Sequence, residues 1–388
     1  ASGQMTILSA EGNSTNKQQQ QQQATGPIAK LSRQRCKCPR ELSTPSILVM
    51  LSASVIFAAS FVGDASLLQL RASPPPHAPN TSSSSASSPS TDGTASILRL
   101  ASLANTGPIR SMTWEKRECV CAVGTGRDGR LVALRAGMVF SEVGSIPAEG
   151  LEGLFYLGDG SHILAGFQDE SRLLCVKNIT AAEGDPSIVE VTHSGLDGTQ
   201  PTIAAGPWSP LVPSGGLAIQ VTARRLHIVQ LPIPNENVPE RLLGSWTPAE
   251  GRRISIATLG GYGQFLCSTG KHDAIYGIIS PSGRVKIAAV AAFHDDVSAL
   301  ALHHPGVNQA SSSSAGQGPL VEYAAMGLWR SNSVLIVSLP SLSILCKLEC
   351  GAVVPRARDL AQLGQQQVLS IGRGDGMLIS ATFLHRQR

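Results

Sequence analysis

Short apolar segments, each about as long as one β-strand, recur along the chain and are separated by residues typical of tight turns. Examples are "VIFAAS" (55–60), "RLVALR" (130–135) and "AIYGII" (274–279), and two of the turns are "GDG" at 158–160 and "PSG" at 281–283. The 39 Gly and 24 Pro residues suit many turns, because Gly supplies positive φ and Pro fixes φ. The sequence therefore predicts an all-β protein: a sandwich, a barrel or a propeller.

The spacing between similar segments distinguishes these architectures. "SVLIVSL" begins at Ser333 and "GMLISAT" begins at Gly376, 43 residues later. That spacing is typical of a four-stranded propeller blade, which takes roughly 40–45 residues. "DAIYGII" begins at Asp273, 60 residues before Ser333, and the excess is about the length of a Ser-rich insertion at 304–318. The spacing predicts a β-propeller of four-stranded blades.

Three segments lack the apolar residues needed for packing. They are an Asn/Gln-rich segment at 13–28, a Pro/Ser tract at 73–93 and the Ser-rich segment at 304–318. We expect all three to be disordered insertions in surface loops. A fourth segment, 43–63, is uncharged and as long as a membrane span, but its Val, Ile and Phe residues cluster in short pieces. We interpret it as two buried strands and expect no membrane contact.

Charge and cysteine content narrow the class of protein further. The net charge of +4 is small for 388 residues and gives no sign of the concentrated basic face that nucleic-acid binding requires. The eight cysteines are too few for a disulfide scaffold, and we expect no secretory leader. An intracellular, reducing location fits this composition.

No catalytic set, cofactor motif or convincing metal site can be assembled from the sequence. The cysteines form C-x-C and C-x3-C pairs but no double C-x-x-C arrangement. One short segment gathers possible metal ligands, but its two ends would lie far apart on an extended strand. These residues are His294, Asp295, Asp296, His303 and His304. We expect no catalytic residue, no cofactor and no metal.

Six segments match, in order, those of a known family of propeller scaffolds. The chain resembles the family of the cullin-4 ubiquitin-ligase adaptor, which is the large subunit of the UV-damaged-DNA-binding complex. Its relatives are the large subunit of the cleavage-and-polyadenylation specificity factor and the propeller subunit of splicing factor 3b. "GLW" at 327–329 followed by "LPSLSILCKLECGAVVPR" favours the adaptor over the RNA-processing relatives. The six segments are 55–70, 103–112, 126–157, 294–302, 326–360 and 372–379.

The resemblance implies three propellers in a protein about three times longer than this chain. Residues 1–134 would be the closing strands of a first propeller, and residues 135–388 would be an incomplete second propeller. A propeller is stable because its last blade pairs with its first, which leaves no exposed sheet edge. We therefore expect the fold to be incomplete at both ends, and the chain expressed alone to aggregate or open there.

The resemblance also implies four partner-binding residues. Trp329 and Asp296 correspond to the family's cullin-binding surface, whereas Leu67 and Pro108 correspond to the first propeller, which helps to hold substrate receptors. A structural interpretation exists for each of them. Trp329 could fill the space between two blades and Asp296 could cap a turn, while Leu67 could be a core residue and Pro108 a turn former.

The leading hypothesis from the sequence is a non-enzymatic scaffold in a nuclear ubiquitin ligase that acts in DNA-damage repair and protein turnover. Its partners would be a cullin and substrate receptors of the WD-repeat type, and damaged DNA would be contacted only through a smaller subunit. The alternative on the same fold is an RNA-processing scaffold for cleavage/polyadenylation or splicing. A hydrolytic propeller enzyme is a third hypothesis, but the sequence offers no convergent polar site for one.

Overall fold

The computed structural model describes residues 145–349 with their side chains, except for 159–160, 177–186, 194, 210–215, 232–240, 250 and 303–322. Outside that range it describes strands by their backbone pairing. Among the described residues no helix is long and apolar enough to span a membrane. The segments at 13–28, 73–93 and 304–318, predicted to be insertions, lie outside the described residues.

Four sheets of four antiparallel strands make up the part described with side chains, and we name them blades III to VI. Blade III has β11 (Leu151–Tyr156), β12 (His162–Phe167), β13 (Ser171–Lys177) and β14 (Ser187–Val191). Blade IV has β15 (Thr202–Pro207), β16 (Leu217–Thr222), β17 (Leu226–Gln230) and β18 (Arg241–Trp246). Blade V has β19 (Ile256–Leu259), β20 (Gln264–Ser268), β21 (Asp273–Ile279) and β22 (Val285–Ala292). Blade VI has β23 (Val297–Leu302), β24 (Tyr323–Leu328), β25 (Ser333–Ser338) and β26 (Ile344–Glu349).

The remaining strands form three more sheets. Blade I has β3 (Pro45–Met50), β4 (Val55–Ser60), β5 (Ala65–Arg71) and β6 (Ser96–Leu103). Blade II has β7 (Ile109–Glu115), β8 (Val120–Thr125), β9 (Arg130–Arg135) and β10 (Ser141–Pro147). Blade VII has β27 (Pro355–Leu363), β28 (Gln366–Arg373) and β29 (Leu378–Leu384), joined by β1 (Gln4–Ser9) and β2 (Ala29–Lys37).

The blades are arranged around a common axis. The first strand of each blade touches the first strand of the next, from β3 through β7, β11, β15, β19 and β23 to β27. Every blade consists of consecutive antiparallel strands, apart from the two amino-terminal strands in blade VII. The prediction of an all-β propeller with four-stranded blades is confirmed. The uncharged segment at 43–63 forms the antiparallel pair β3 and β4, as predicted.

Blade VII combines strands from the two ends of the chain, an arrangement that the sequence did not predict. The junction is short: Ala29 and Lys30 of β2 stand opposite Phe383 and Thr382 of β29. By contrast, β28 and β29 pair along almost their whole length. The division of the chain into parts of two propellers stays a prediction.

Burial follows the order of the strands within each blade. All or nearly all residues of the middle strands β12, β16, β20, β24 and β25 are buried. The outermost strand β22 alternates between half-buried and exposed residues, because one of its faces meets solvent. Large apolar side chains fill the space between blades V and VI, and burying each stabilises the fold by about 1.5–3 kcal/mol. They include Leu266, Tyr276, Leu300, Met326 and Leu335.

The antiparallel order gives the propeller two faces that carry different sets of loops. In each blade the loop that leads into the first strand lies at the same end as the hairpin between the second and third strands. We call this end the upper face. The hairpins between the first and second strands, and between the third and fourth strands, lie on the lower face.

Candidate functional site

Two loops of blade VI meet on the upper face and bring together two of the predicted site residues. The first is the loop at 293–296, which leads into β23, and the second is the β24–β25 hairpin at 329–332. The backbone N–H of Trp329 donates a hydrogen bond of 2.9 Å to the carbonyl oxygen of Asp296. Trp329 and Asp296, more than 30 residues apart in sequence, are therefore neighbours in the fold.

Trp329 projects from this hairpin into solvent. Its surface is 58% exposed, although the residue before it, Leu328, is buried. The interpretation in which Trp329 fills the space between two blades is therefore wrong. The other exposed large apolar residues of the described chain, Leu242, Val290 and Ile344, lie on outermost strands. Trp329 is thus the one exposed aromatic residue that the described part of the chain presents on the upper face.

Asp296 links blade VI to blade V. Its Oδ1 lies 3.1 Å from Nδ1 of His272, which is in the β20–β21 hairpin, and both side chains are partly exposed. The contact has ion-pair distance, but its angle does not make a hydrogen bond, so Nδ1 lacks a hydrogen-bond partner. The attraction is consequently strong only when the imidazole is protonated. The backbone adds a firmer link, since the N–H of Phe293 donates to the carbonyl oxygen of His272 at 2.6 Å.

The carboxylate that holds the loops of blade VI together belongs to Asp295. Its Oδ1 accepts hydrogen bonds from the backbone N–H groups of Asp296 at 2.7 Å and Arg330 at 2.9 Å. Its Oδ2 accepts the N–H of Ser331 at 2.7 Å. Burial alone would raise the pKa of Asp295, but the hydrogen bonds from Arg330, Ser331 and Asp296 favour the charged form, and the pKa lies below its ordinary value.

This role of Asp295 was not predicted from the sequence, where the residue was considered only as one of several possible metal ligands. The turn-capping role considered for Asp296 is carried out by the carboxylate of the preceding residue. A signal was present, because an Asp just before a strand is well placed to accept backbone N–H groups of a neighbouring turn. The partners of that carboxylate, however, are 35 and 36 residues away in sequence.

Blade V contains a related arrangement around Asp273, the first residue of β21. Its Oδ1 accepts the N–H of Thr269 at 2.7 Å, and its Oδ2 accepts the hydroxyl of Thr269 at 2.6 Å. The same Oδ2 lies 2.9 Å from Nη1 of Arg252, which is in the loop leading into β19. Asp273 is buried, whereas the Arg252 side chain is partly exposed.

The space between blades III and IV is polar near the upper face. The Ser171 hydroxyl shares a hydrogen bond of 2.7 Å with the Thr202 hydroxyl, and Gln220 donates to Thr202 at 2.9 Å. Gln220 also accepts the backbone N–H of Asp197 at 2.8 Å. These bonds join two blades, and the side chains of Ser171, Thr202 and Gln220 are all buried.

The described residues offer no activated nucleophile. Burial and then the negative charge of Asp273 raise the pKa of the Cys267 thiol to about 12, so the thiol stays protonated and unreactive. Burial also lowers the pKa of His227, outweighing the opposite effect of Asp197, and keeps its imidazole neutral. No group of three or more His, Cys, Asp or Glu side chains that could hold a metal occurs in the described part of the chain.

Leu67 and Pro108 cannot be placed in the same way. Leu67 belongs to β5, where it pairs with Phe57 of β4 and Ala101 of β6, but its side chain lies outside the described part of the chain. Pro108, just before β7, also lies outside it. Their receptor-binding role stays a prediction.

The fold defines the class of this protein as a β-propeller with four-stranded blades, and sequence comparison places it within that class. The family model of the RSE1/DDB1/CPSF1 second β-propeller matches residues 142–387. That match covers more than half of the chain, and the chain therefore belongs to this family.

Several curated proteins are similar to the chain. DNA damage-binding protein 1 of Oryza sativa subsp. japonica is 27% identical over 68% of this chain and 22% of its own length. DNA damage-binding protein 1 of Caenorhabditis elegans is 21% identical, and DNA damage-binding protein 1a of Arabidopsis thaliana is 24% identical. Each of these two matches covers 88% of this chain and 28% of the relative. The chain thus spans about a quarter of the length of these relatives.

One solved structure supports the fold. The crystal structure of the Cps50 (Swd1) β-propeller domain of Myceliophteria thermophila superimposes with a TM-score of 0.60. The superposition covers 88% of this chain and 97% of that domain, at 12% sequence identity. At so low an identity the likeness concerns the fold alone.

Proposed function

We propose that this chain is part of a non-enzymatic scaffold that links a cullin to substrate receptors in a nuclear ubiquitin ligase. The proposed roles are DNA-damage repair and protein turnover. Three observations support the proposal: the family match, the similarity to DNA damage-binding proteins, and the arrangement of Trp329 and Asp296 on the upper face.

The observation that carries the proposal is the exposed Trp329 on a rigid hairpin. A large apolar ring in water is unfavourable unless a partner covers it, and Trp is among the residues that contribute most at interface centres. The hairpin is held by the hydrogen bonds of its backbone to Asp295 and Asp296, so little conformational entropy is lost on binding. Asp296 next to the ring would orient a basic or hydroxyl group of the cullin.

The remaining partners follow from the same proposal. Receptors of the WD-repeat type would bind through the first propeller, where Leu67 and Pro108 are the proposed contacts. Damaged DNA would be reached only through a smaller subunit. The complex would act in the nucleus, with a further pool in the cytoplasm.

Cullin co-purification with point variants tests the proposal. Trp329→Ala and Asp296→Ala, alone and together, should remove most of the cullin recovered with the chain. Loss of a central Trp contact costs about 2 kcal/mol or more, which lowers affinity roughly thirtyfold. Val290→Ala is the matched control, because Val290 is as exposed as Trp329 but lies on the outermost strand β22.

Receptor recovery is the internal standard of that experiment, since a misfolded variant would lose both partners. Full cullin recovery with the double variant would overturn the assignment.

The second candidate is an RNA-processing scaffold, which the family description also covers. Recovery of polyadenylation or spliceosomal subunits in place of a cullin would favour that candidate.

A further inference from the structure

We propose that four exposed arginines on the upper face, Arg224, Arg225, Arg252 and Arg253, form a docking surface for an acidic segment of a partner protein. We call these residues the arginine patch. The proposal goes beyond the cullin contact, because the patch centres on blades IV and V whereas Trp329 belongs to blade VI.

The patch is built from two loops that are joined by a backbone hydrogen bond. Arg224 and Arg225 occupy the turn between β16 and β17, and Arg252 and Arg253 lie in the loop that leads into β19. The N–H of Ile254 donates to the carbonyl oxygen of Ala223 at 2.8 Å. Ala223 directly precedes Arg224, and Ile254 directly follows Arg253. The bond between them therefore brings the two arginine pairs side by side.

Little negative charge balances the patch within the described part of the chain. Arg252 pairs with the buried carboxylate of Asp273 at 2.9 Å, and among the described residues no ion pair joins a carboxylate to Arg224, Arg225 or Arg253. The half-buried Asp197 acts on His227 together with Arg225, and it offsets part of the positive charge at that end of the patch. The positive surface continues towards blade VI through the exposed Lys271 and Arg330. Closely spaced like charges repel one another, and a bound anionic segment would relieve that repulsion.

The connection towards blade VI is continuous. Arg252 joins the patch to Asp273, and His272 beside it bonds to Phe293, whose loop in turn bonds to the Trp329 hairpin. Asp296 is the one partly exposed carboxylate among the described residues of these loops, since Asp273 and Asp295 are buried. A partner that lies across the patch would therefore meet positive charge along most of its path.

The composition of this surface favours a protein over a nucleic acid. The exposed cations on these loops are five arginines and one lysine, and protein–protein interfaces are enriched in Arg and depleted in Lys. The guanidinium fork also matches a carboxylate with two parallel hydrogen bonds. Single-stranded nucleic acid needs a series of aromatic rings for base stacking, and the described residues expose only Trp329 on this face.

Fluorescence anisotropy with a labelled peptide of alternating Glu and Ser tests the proposal on the full chain. The probe should bind at low salt, and binding should weaken as sodium chloride is raised, because added salt screens the charges. The triple variant Arg224→Glu, Arg225→Glu, Arg253→Glu should bind at least about tenfold more weakly. Arg252 is left in place because it supports Asp273.

The control variant is Arg284→Glu, an exposed arginine in a hairpin on the lower face, which should bind the probe within about twofold of the unmodified chain. Thermal unfolding of each variant verifies that it is folded. Absence of peptide binding at low salt, or equal binding by the folded triple variant, would overturn the proposal. Tighter binding of an oligo-thymidine probe that the triple variant abolishes would overturn the choice of a protein partner.

Trp329→Ala separates this result from the proposed function. That variant should bind the acidic peptide as well as the unmodified chain, even where cullin recovery is lost. The two proposals can therefore fail independently of each other.

Discussion

The β20–β21 hairpin of blade V and the β24–β25 hairpin of blade VI are each held by a buried aspartate carboxylate, but the position of that aspartate differs between the two blades. In blade V the buried carboxylate comes from the hairpin's own strand, at Asp273, and it binds a threonine side chain and an arginine. In blade VI the carboxylate comes from another loop, at Asp295, and it binds mainly backbone N–H groups, with a further hydrogen bond from the Ser331 side chain. The second arrangement leaves the Trp329 side chain free of any holding role, and the ring faces solvent.

The same substitution in both hairpins should have unequal effects, and the larger is expected at Asp295. In Asp295→Asn the side-chain oxygen can replace Oδ1, but the NH2 group must then face the N–H of Ser331, where two donors meet. We expect the free energy of unfolding to fall by about 2–3 kcal/mol, because a buried donor loses its partner. Chemical denaturation at neutral pH measures the loss.

The control is the pH dependence of the difference in unfolding free energy between the unmodified chain and Asp295→Asn. The folded-state pKa of Asp295 is depressed, so its stabilising contribution is present above the unfolded pKa of about 4 and is lost as pH falls through the folded value. The gap between the unmodified chain and Asp295→Asn should therefore narrow below about pH 4. A gap that is constant with pH would show that the carboxylate charge is not what stabilises the hairpin.

A smaller effect is expected from Asp273→Asn. Here the NH2 group would face the hydroxyl of Thr269, which can accept a hydrogen bond as readily as it donates one. The NH2 group would also meet the donor Nη1 of Arg252, but that side chain is partly exposed and can turn to water. The ion pair with Arg252 is then lost, and we expect a decrease in stability of about 1 kcal/mol. Denaturation of the two Asn variants side by side measures this contrast. Equal losses would mean that the two hairpins are held in the same way.

The smallest effect on stability is expected from Trp329→Ala. The ring is mostly exposed and its hairpin is held through backbone atoms, so the free energy of unfolding should change by less than about 0.5 kcal/mol. Thermal unfolding of this variant should coincide with that of the unmodified chain. A loss above 1 kcal/mol would show that the ring supports the fold rather than a partner, by the usual scale of surface substitutions.

The blade pattern was predictable because it depends on local signals. Strand length, turn residues and a 43-residue spacing are read within one or two blades, and they correctly predicted the strands and their grouping into four-stranded sheets. The uncharged segment at 43–63 was interpreted correctly for the same reason, since its apolar residues cluster in two short runs, which favours two strands over one long helix.

The site was predictable only in part. The proximity of Trp329 to Asp296 agrees with the resemblance, but the exposure of the ring needed three-dimensional information, because an aromatic at a strand end can point inwards or outwards. The holding role of Asp295 and the clustering of Arg224 with Arg253 depend on contacts between distant loops. The small net charge of the whole chain therefore did not indicate that positive charge is concentrated on one surface.

Three of the hydrogen bonds that connect neighbouring loops on the upper face run between main-chain atoms: Ile254 to Ala223, Phe293 to His272 and Trp329 to Asp296. Main-chain atoms are the same in every amino acid except proline, which lacks the N–H. Selection can therefore replace exposed side chains such as Trp329 without dismantling the blades beneath them, as long as buried carboxylates such as that of Asp295 are kept. Such a surface allows related propellers to diverge in what they recognise while their architecture is inherited unchanged.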